Sequence, residues 1–269
     1  MPGRRASPIN TKPITLVSMR AEDFEYLYQL EANYWWFVAM RQITDAIVEK
    51  QLGGRPLRIL DAGCGTGYNL GHYERQGHHV FGFDIAPEAV DWVRKRGFPK
   101  VAQASVTEIP LASESFDLVF SFDVLVQMPV EASNAAMREM HRVLKPGGFL
   151  FARTAAYEWL RSSHDEELHT MHRFTLNELQ EKLIRTGFNV EYATYANTLL
   201  FPVIVIRRLL KRFGIGGGTD VKPLPAALAW IDPIFRGVLS SESLLTRRRV
   251  ALPFGLSAIC YAQKGSEPK

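Results

Sequence analysis

Leu57-Arg58-Ile59-Leu60-Asp61-Ala62-Gly63-Cys64-Gly65-Thr66-Gly67 sets a short apolar run ahead of an acid and three alternating glycines. The apolar residues Leu57, Ile59 and Leu60 read as a buried strand ending at Asp61. Gly63, Gly65 and Gly67 then read as a turn whose backbone approaches something closely, because glycine takes positive φ and has no Cβ in the way. Tyr68-Asn69-Leu70 opens a helix, and the free N–H groups at such a start favour an anion or an acceptor atom.

Spacing narrows the ligand. A phosphate loop of the GxxxxGK[ST] kind needs a lysine after its last glycine, where Tyr68 stands. The dinucleotide pattern GxGxxG needs glycine at position 68 and fails for the same reason. A second strand, His78 to Phe83, ends in Asp84, and an acid about 20 residues past such a loop is placed to accept from a ribose diol. A nucleoside ligand without phosphates fits best.

Four more segments follow in order. Phe81-Gly82-Phe83-Asp84-Ile85 closes the second strand and Ser105-Val106-Thr107-Glu108-Ile109-Pro110 comes next. Ser115-Phe116-Asp117-Leu118-Val119-Phe120-Ser121 is a fourth strand, and Arg142-Val143-Leu144-Lys145-Pro146-Gly147-Gly148 a turn before the fifth. Over roughly residues 57–153 the chain resembles the class I S-adenosylmethionine-dependent methyltransferases. The resemblance implies S-adenosyl-L-methionine as cofactor. It also implies a Rossmann-like α/β fold: seven strands, mostly parallel, the last antiparallel, with helices on both faces. Two positions depart from the family pattern. Ser105 stands where many members carry aspartate toward the adenine amino group, and Val124-Leu125-Val126-Gln127 stands where they often read Val-Leu-Glu-His.

Composition fits a globular protein, with 46% hydrophobic and 22% charged residues. Two cysteines, Cys64 and Cys260, give no disulfide framework. MPGRRASPINTKP has no apolar segment behind its arginines, and Leu199 to Ile206 is far short of the ~20 residues of a spanning helix. A cytoplasmic location is the default expectation. The charge is uneven: residues 199–269 hold eleven Lys/Arg against four Asp/Glu. Arg207-Arg208 and Lys211-Arg212 sit beside Leu199-Leu200-Phe201 and Leu209-Leu210. A basic amphipathic stretch over 199–213 suits the inner face of an anionic membrane or an acidic substrate. Otherwise it is a solvated face on a buried helix. Without a stacking groove or an RNA-binding module, no nucleic-acid partner is expected.

Along the chain, residues 1–20 read as a mobile arm and 21–52 as a helical cap, with apolar residues from Phe24 to Ile47 at helical spacing. Strands are expected at 57–61, 78–84, 100–103, 116–121 and 148–153. Thr175 caps a helix, with Glu178 three residues on and Gly187 ending it. Phe188 to Tyr195 is a sixth strand and Gly255 to Gln263 a seventh. Residues 196–254 between them are too long for a structureless loop and read as a helical insertion. Its helices are expected at Leu199 to Phe213 and Ala226 to Leu239, around a Gly214–Gly218 hinge with Pro223 and Pro225. The whole of 21–269 is expected to form one methyltransferase domain.

The resemblance assigns Asp84 to the ribose hydroxyls and Gly63 and Gly65 to close approach, with Cys64 a small filler in the same cofactor-binding loop. Asp61 orients the loop and the methionine amino group. Ile85 packs on adenine, while Ser105 and Val106 bracket it. Ser121 and Phe122 face the sulfonium end. Trp36, in the aromatic run 34–37, closes over the cofactor, and Arg41 binds the methionine carboxylate, against the alternative of an aromatic core stripe with a surface arginine. Methyl transfer is an in-line displacement, and an oxygen nucleophile must also lose a proton. In the segment from Tyr157 to Arg173, His169 or His172 could take it, with Asp165 or Glu166 orienting. His164, Asp165, His169 and His172 match no standard metal spacing, so no metal is expected. The expected reaction is O-methylation of a small-molecule or lipid-linked acceptor. Methylation of nucleic acid, or binding of an adenosyl ligand without catalysis, are the alternatives.

Overall fold

The computed structural model describes residues 21–162, 165–166, 168–212 and 230–265. The expected arm 1–20, His164, the Gly214–Gly218 hinge, Pro223, Pro225 and the start of the second insertion helix lie outside them. Two helices, α1 (Ala21–Leu30) and α2 (Trp35–Leu52), precede β1 (Arg58–Ala62). There follow α3 (Tyr68–Glu74), β2 (His79–Asp84), α4 (Pro87–Lys95), β3 (Val101–Gln103) and β4 (Phe116–Phe122). Then come α5 (Val130–Val143), β5 (Leu144–Ala155), α6 (Leu176–Arg185) and β6 (Phe188–Ala196). The insertion contributes α7 (Phe201–Arg212) and α8 (Asp232–Arg247) before β7 (Ser257–Lys264).

The seven strands form one sheet in the order β3-β2-β1-β4-β5-β7-β6. Pairings from β3 to β5 are parallel, and β7 runs antiparallel to both β5 and β6. Strand periodicity builds a core on each face. Leu60, Val119, Leu150, Ala152 and Cys260 point toward α5 and α6, meeting Met137, Met140, Leu179 and Leu183. Their neighbours Ile59, Leu118, Phe120, Phe151 and Ile259 point the other way, onto Met40, Ile43 and Ile47 of α2 and Leu239 of α8. Both faces are therefore covered, as parallel strands with near-continuous apolar runs require.

Three boundaries differ from the sequence reading. The N-terminal helical segment breaks in two around Asn33. β5 begins at Leu144 instead of 148, because Leu144 pairs with Phe116 before a register shift admits the Pro146-Gly147-Gly148 stretch. The second insertion helix runs eight residues beyond Leu239, to Arg247. Thr175 does cap α6, its Oγ1 accepting from the Glu178 N–H at 3.2 Å.

Candidate active site

A cavity of about 350 Å³ opens along the C-terminal edge of the sheet, where ligands collect in open α/β folds. One half lies over β2, β1 and β4, the other over β5, β7 and β6. Phe24 and Leu27 of α1, Glu31 just past it, and Trp36 and Arg41 of α2 wall the first half, while α7 walls the second with Ile204 and Arg208.

The turn after β1 is built for close approach. Gly63 has φ +83°, and a Cβ there would lie 2.4 Å from Val124 Cγ2, so nothing larger fits. Gly65 has φ +53°, and its missing Cβ would meet only open space. The Gly65 N–H donates to Asp84 Oδ2 at 2.9 Å, and the Ala86 N–H donates to Asp84 Oδ1 at 3.0 Å. Burial lifts the Asp84 carboxyl above its usual range, and these N–H groups hold it back.

Asp61 is 2% exposed, and neither carboxylate oxygen has a hydrogen-bond partner. Burial first, then the charges of Asp84 and Glu31, push its carboxyl well above the ordinary value, with Arg153 opposing. A buried carboxylate with no donor demands one from a ligand or from solvent. Burial likewise pushes the Cys64 thiol up, which keeps it protonated and unreactive. Glu31 is half-buried beside the turn, bonded to Thr66 and paired with Arg96 at 2.9 Å.

Of the residues singled out from the sequence, Trp36, Arg41, Asp61, Gly63, Cys64, Gly65, Asp84, Ile85, Val106 and Phe122 line this one cavity. Ser105 and Ser121 do not. The Ser105 hydroxyl is used by its own loop, 2.8 Å from Thr107 Oγ1 and accepting from the Thr107 N–H at 3.2 Å. Ser121 is fully buried in β4. The Arg41 guanidinium lies 4.2 Å from the Tyr68 ring centre, and the Arg153 guanidinium lies 4.9 Å from that of Trp36.

The histidines are elsewhere. Neither His169 nor His172 is on the cavity wall. His172 Nε2 lies 2.8 Å from Glu178 Oε1, with the ring edge-on to Phe174 at 4.6 Å, so it ties the loop before α6 to that helix. Asp165, expected to orient a histidine, pairs instead with Arg173 at 2.7 Å, both side chains buried. Burial raises the Asp165 carboxyl, but Arg173 and the Ser162 N–H outweigh it and hold the group below its usual range. Sequence reading missed Asn197 and the Arg153–Asp123 pair (2.6 Å) on the same wall, and took Arg208 only as part of the basic 199–213 stretch. Among the described residues, no group of three or more His, Cys, Asp or Glu is placed to hold a metal ion.

Residues 60–152 match the family described as "Methyltransferase domain". A malonyl-[acyl-carrier protein] O-methyltransferase of Enterobacter lignolyticus is 30% identical over 182 residues, 65% of this chain and 71% of that protein. The chain belongs to the class I S-adenosylmethionine-dependent methyltransferases. A probable S-adenosylmethionine-dependent methyltransferase of Mycolicibacterium smegmatis is 32% identical over 165 residues, spanning 60% of this chain and 62% of the relative. The fold is shared with a methyltransferase structure from Archaeoglobus fulgidus at TM-score 0.58 and 13% identity, covering 90% of this chain and 99% of that one. The cofactor of that family is S-adenosylmethionine, and the Rossmann-like sheet of this chain is the family's; the chain spans less than two thirds of the length of the Mycolicibacterium relative. Among the described residues, no helix is long and apolar enough to cross a membrane.

Proposed function

We propose that this methyltransferase moves a methyl group from S-adenosylmethionine to an oxygen atom of a small or lipid-linked acceptor, the acceptor lying over β5, β7 and β6. The observation that carries this reading is the continuity of the cavity, from Asp84 at one end to Asn197 at the other. The cofactor half offers what an adenosyl amino acid needs. Asp84 accepts from ribose hydroxyls while Gly65 and Ala86 hold it still. Ile85 and Val106 pack on the adenine. Asp61, with two orphaned oxygens, takes the ammonium group, and Arg41 takes the carboxylate. Gly63, Cys64 and Gly65 keep the turn thin, and Trp36 and Phe122 shield the sulfonium end from water. When bound, S-adenosylmethionine supplies a methyl group on a sulfonium leaving group. The protein's part is alignment and exclusion of water.

We assign the proton-accepting role to neither His169 nor His172, since neither lines the cavity. The carboxylates on the acceptor side, Asp123 and Asp165, are both engaged by arginine. An acceptor oxygen already ionised at neutral pH, as in a carboxylic acid, needs no base and suits this lining. The malonyl-[acyl-carrier protein] O-methyltransferases among the relatives support an oxygen acceptor. Residues 21–269 act as one domain in this reading, with α1 and α2 as cap and the 196–254 insertion as the acceptor-side wall. On α7, Val203, Ile206, Leu209 and Leu210 are exposed next to Arg207, which supports peripheral contact with an anionic membrane from the cytoplasmic side.

Product chemistry tests the reading. With methyl-labelled cofactor and extracted acceptors, mild base should release label as methanol, the signature of a methyl ester. Label that stays on nitrogen or carbon contradicts it.

A further inference from the structure

Among the described residues on the cavity wall, two carry buried side-chain oxygens without a hydrogen-bond partner, Asp61 and Asn197. Asp61, at the end of β1, is taken up by the cofactor reading. Asn197 has no part in that reading. It lies just past β6, where three strand ends meet in register: Ala155 opposite Ser257, and Ser257 opposite Ala196. The backbone behind it is tightly packed, since a Cβ on Gly255 would lie 2.2 Å from the Ala196 carbonyl oxygen. Asn197 itself has φ +61°, a left-handed conformation that asparagine tolerates better than most residues.

Glu242, buried in α8, fixes that turn. Its Oε2 accepts the Asn197 N–H at 2.8 Å, and its Oε1 accepts those of Thr198 and Leu199 at 2.7 and 2.8 Å. Burial raises the Glu242 carboxyl above its usual range, and the three N–H groups oppose the rise. What the carboxylate holds in place is a side chain that is 1% exposed, with its Oδ1 left without a donor. The charges on the same wall, by contrast, are answered within the protein. Arg153 pairs with Asp123 and Arg173 with Asp165, and Asp165 also faces Arg208 as an opposite charge. On this half of the cavity the unanswered group is therefore neutral, an oxygen that can only accept.

We propose that Asn197 selects the methyl acceptor: its Oδ1 accepts a hydrogen bond from an uncharged hydroxyl on the part of the acceptor that is not methylated. The inference deepens the acceptor reading given above and rests on it. The terminal amide torsion of asparagine is soft, so Oδ1 can turn to a donor in the cavity while Glu242 holds the backbone. An amide on the acceptor would bring a carbonyl as well as an N–H, and among the described wall residues no buried side-chain donor waits for it. A hydroxyl brings the one proton that is missing. An analogue without it leaves the asparagine oxygen unpaired beneath the bound molecule, which is an effective ground for rejection. Glu242 is a positioning residue, acting through the Asn197 backbone.

The test uses the full chain saturated with S-adenosylhomocysteine and reads binding by calorimetry. The probes are octanoate and 1-octanol, each compared with its own derivatives bearing one further hydroxyl at successive carbons. In at least one series, one hydroxylated member should bind about tenfold more tightly than its parent. Asn197→Gly should bind that member no better than the parent, with the affinities for the parent and for S-adenosylhomocysteine unchanged. Glycine keeps the positive φ, so this variant removes only the side-chain amide. The proposal is overturned if neither series shows a hydroxyl preference in the wild type, or if the preference survives in Asn197→Gly. A preference confined to the octanols upholds the subsite and contradicts the carboxylic acceptor. No turnover is read, so failure here is separate from finding methyl groups on nitrogen or carbon.

Discussion

Asp84 at the end of β2 and Gly65 in the turn after β1 are joined by a 2.9 Å hydrogen bond from the Gly65 N–H to Oδ2. That bond couples the two halves of the proposed cofactor cradle, so the carboxylate and the thin turn are set relative to each other before any ligand arrives. Preorganisation of this kind lowers the ordering cost of binding.

The two glycines of the turn should separate stability from binding. Gly63→Ala sets a methyl against Val124 at positive φ and should cost about 2–4 kcal/mol in urea unfolding. Val124→Ala should return part of it. Gly65→Ala points its methyl into open cavity, so it should lose less stability and more cofactor affinity.

Asp61 should trade stability for binding. Its carboxyl is raised in the folded chain by burial and by Asp84 and Glu31. From the ordinary aspartate value of about 3.9 upward, the folded state therefore keeps a proton that the unfolded state has lost. Stability thus falls as pH rises through that window. Asp61→Asn removes the penalty, and the cofactor-free variant should melt at a higher temperature than the wild type near neutral pH. The same variant should bind S-adenosylhomocysteine more weakly. Wild-type affinity should rise with pH as Asp61 ionises, and the variant should show no such rise.

His169→Ala and His172→Gln should leave turnover within about threefold of wild type, because neither side chain lines the cavity. A general base contributes about 10²–10⁴-fold. A loss of that size in either variant, with the fold retained, would bring the histidine back into the chemistry.

Glu242→Ala strips the acceptor from three buried N–H groups and should destabilise the chain by about 3 kcal/mol, read by thermal or urea unfolding. Destabilisation below about 1 kcal/mol would mean that water replaces the carboxylate easily.

The half of the cavity proposed for the cofactor was legible in the sequence as a strand, turn and acid, because that information is local. A strand, a glycine turn and a helix start fall within a dozen residues, and Asp84 follows at a fixed distance. The acceptor half was not legible, for the opposite reason. Asn197 matters only because Glu242, 45 residues on, holds its backbone in a left-handed turn. Arg153, Arg173 and Arg208 come from β5, a loop and α7. The partners of the polar 157–173 segment were not legible either, since Asp165 turns to Arg173 and His172 to Glu178. The hydroxyl of Ser105, expected beside adenine, closes its own turn with Thr107.

The measurement that bears most directly on the cradle is the affinity of Asp84 variants for S-adenosylhomocysteine by calorimetry, with near-ultraviolet circular dichroism to verify the fold. Asp84→Ala should lose about 100-fold or more, two charge-assisted hydrogen bonds being removed, and Asp84→Asn about tenfold. Folded variants that bind as tightly as the wild type would contradict the assignment of Asp84 to the cofactor.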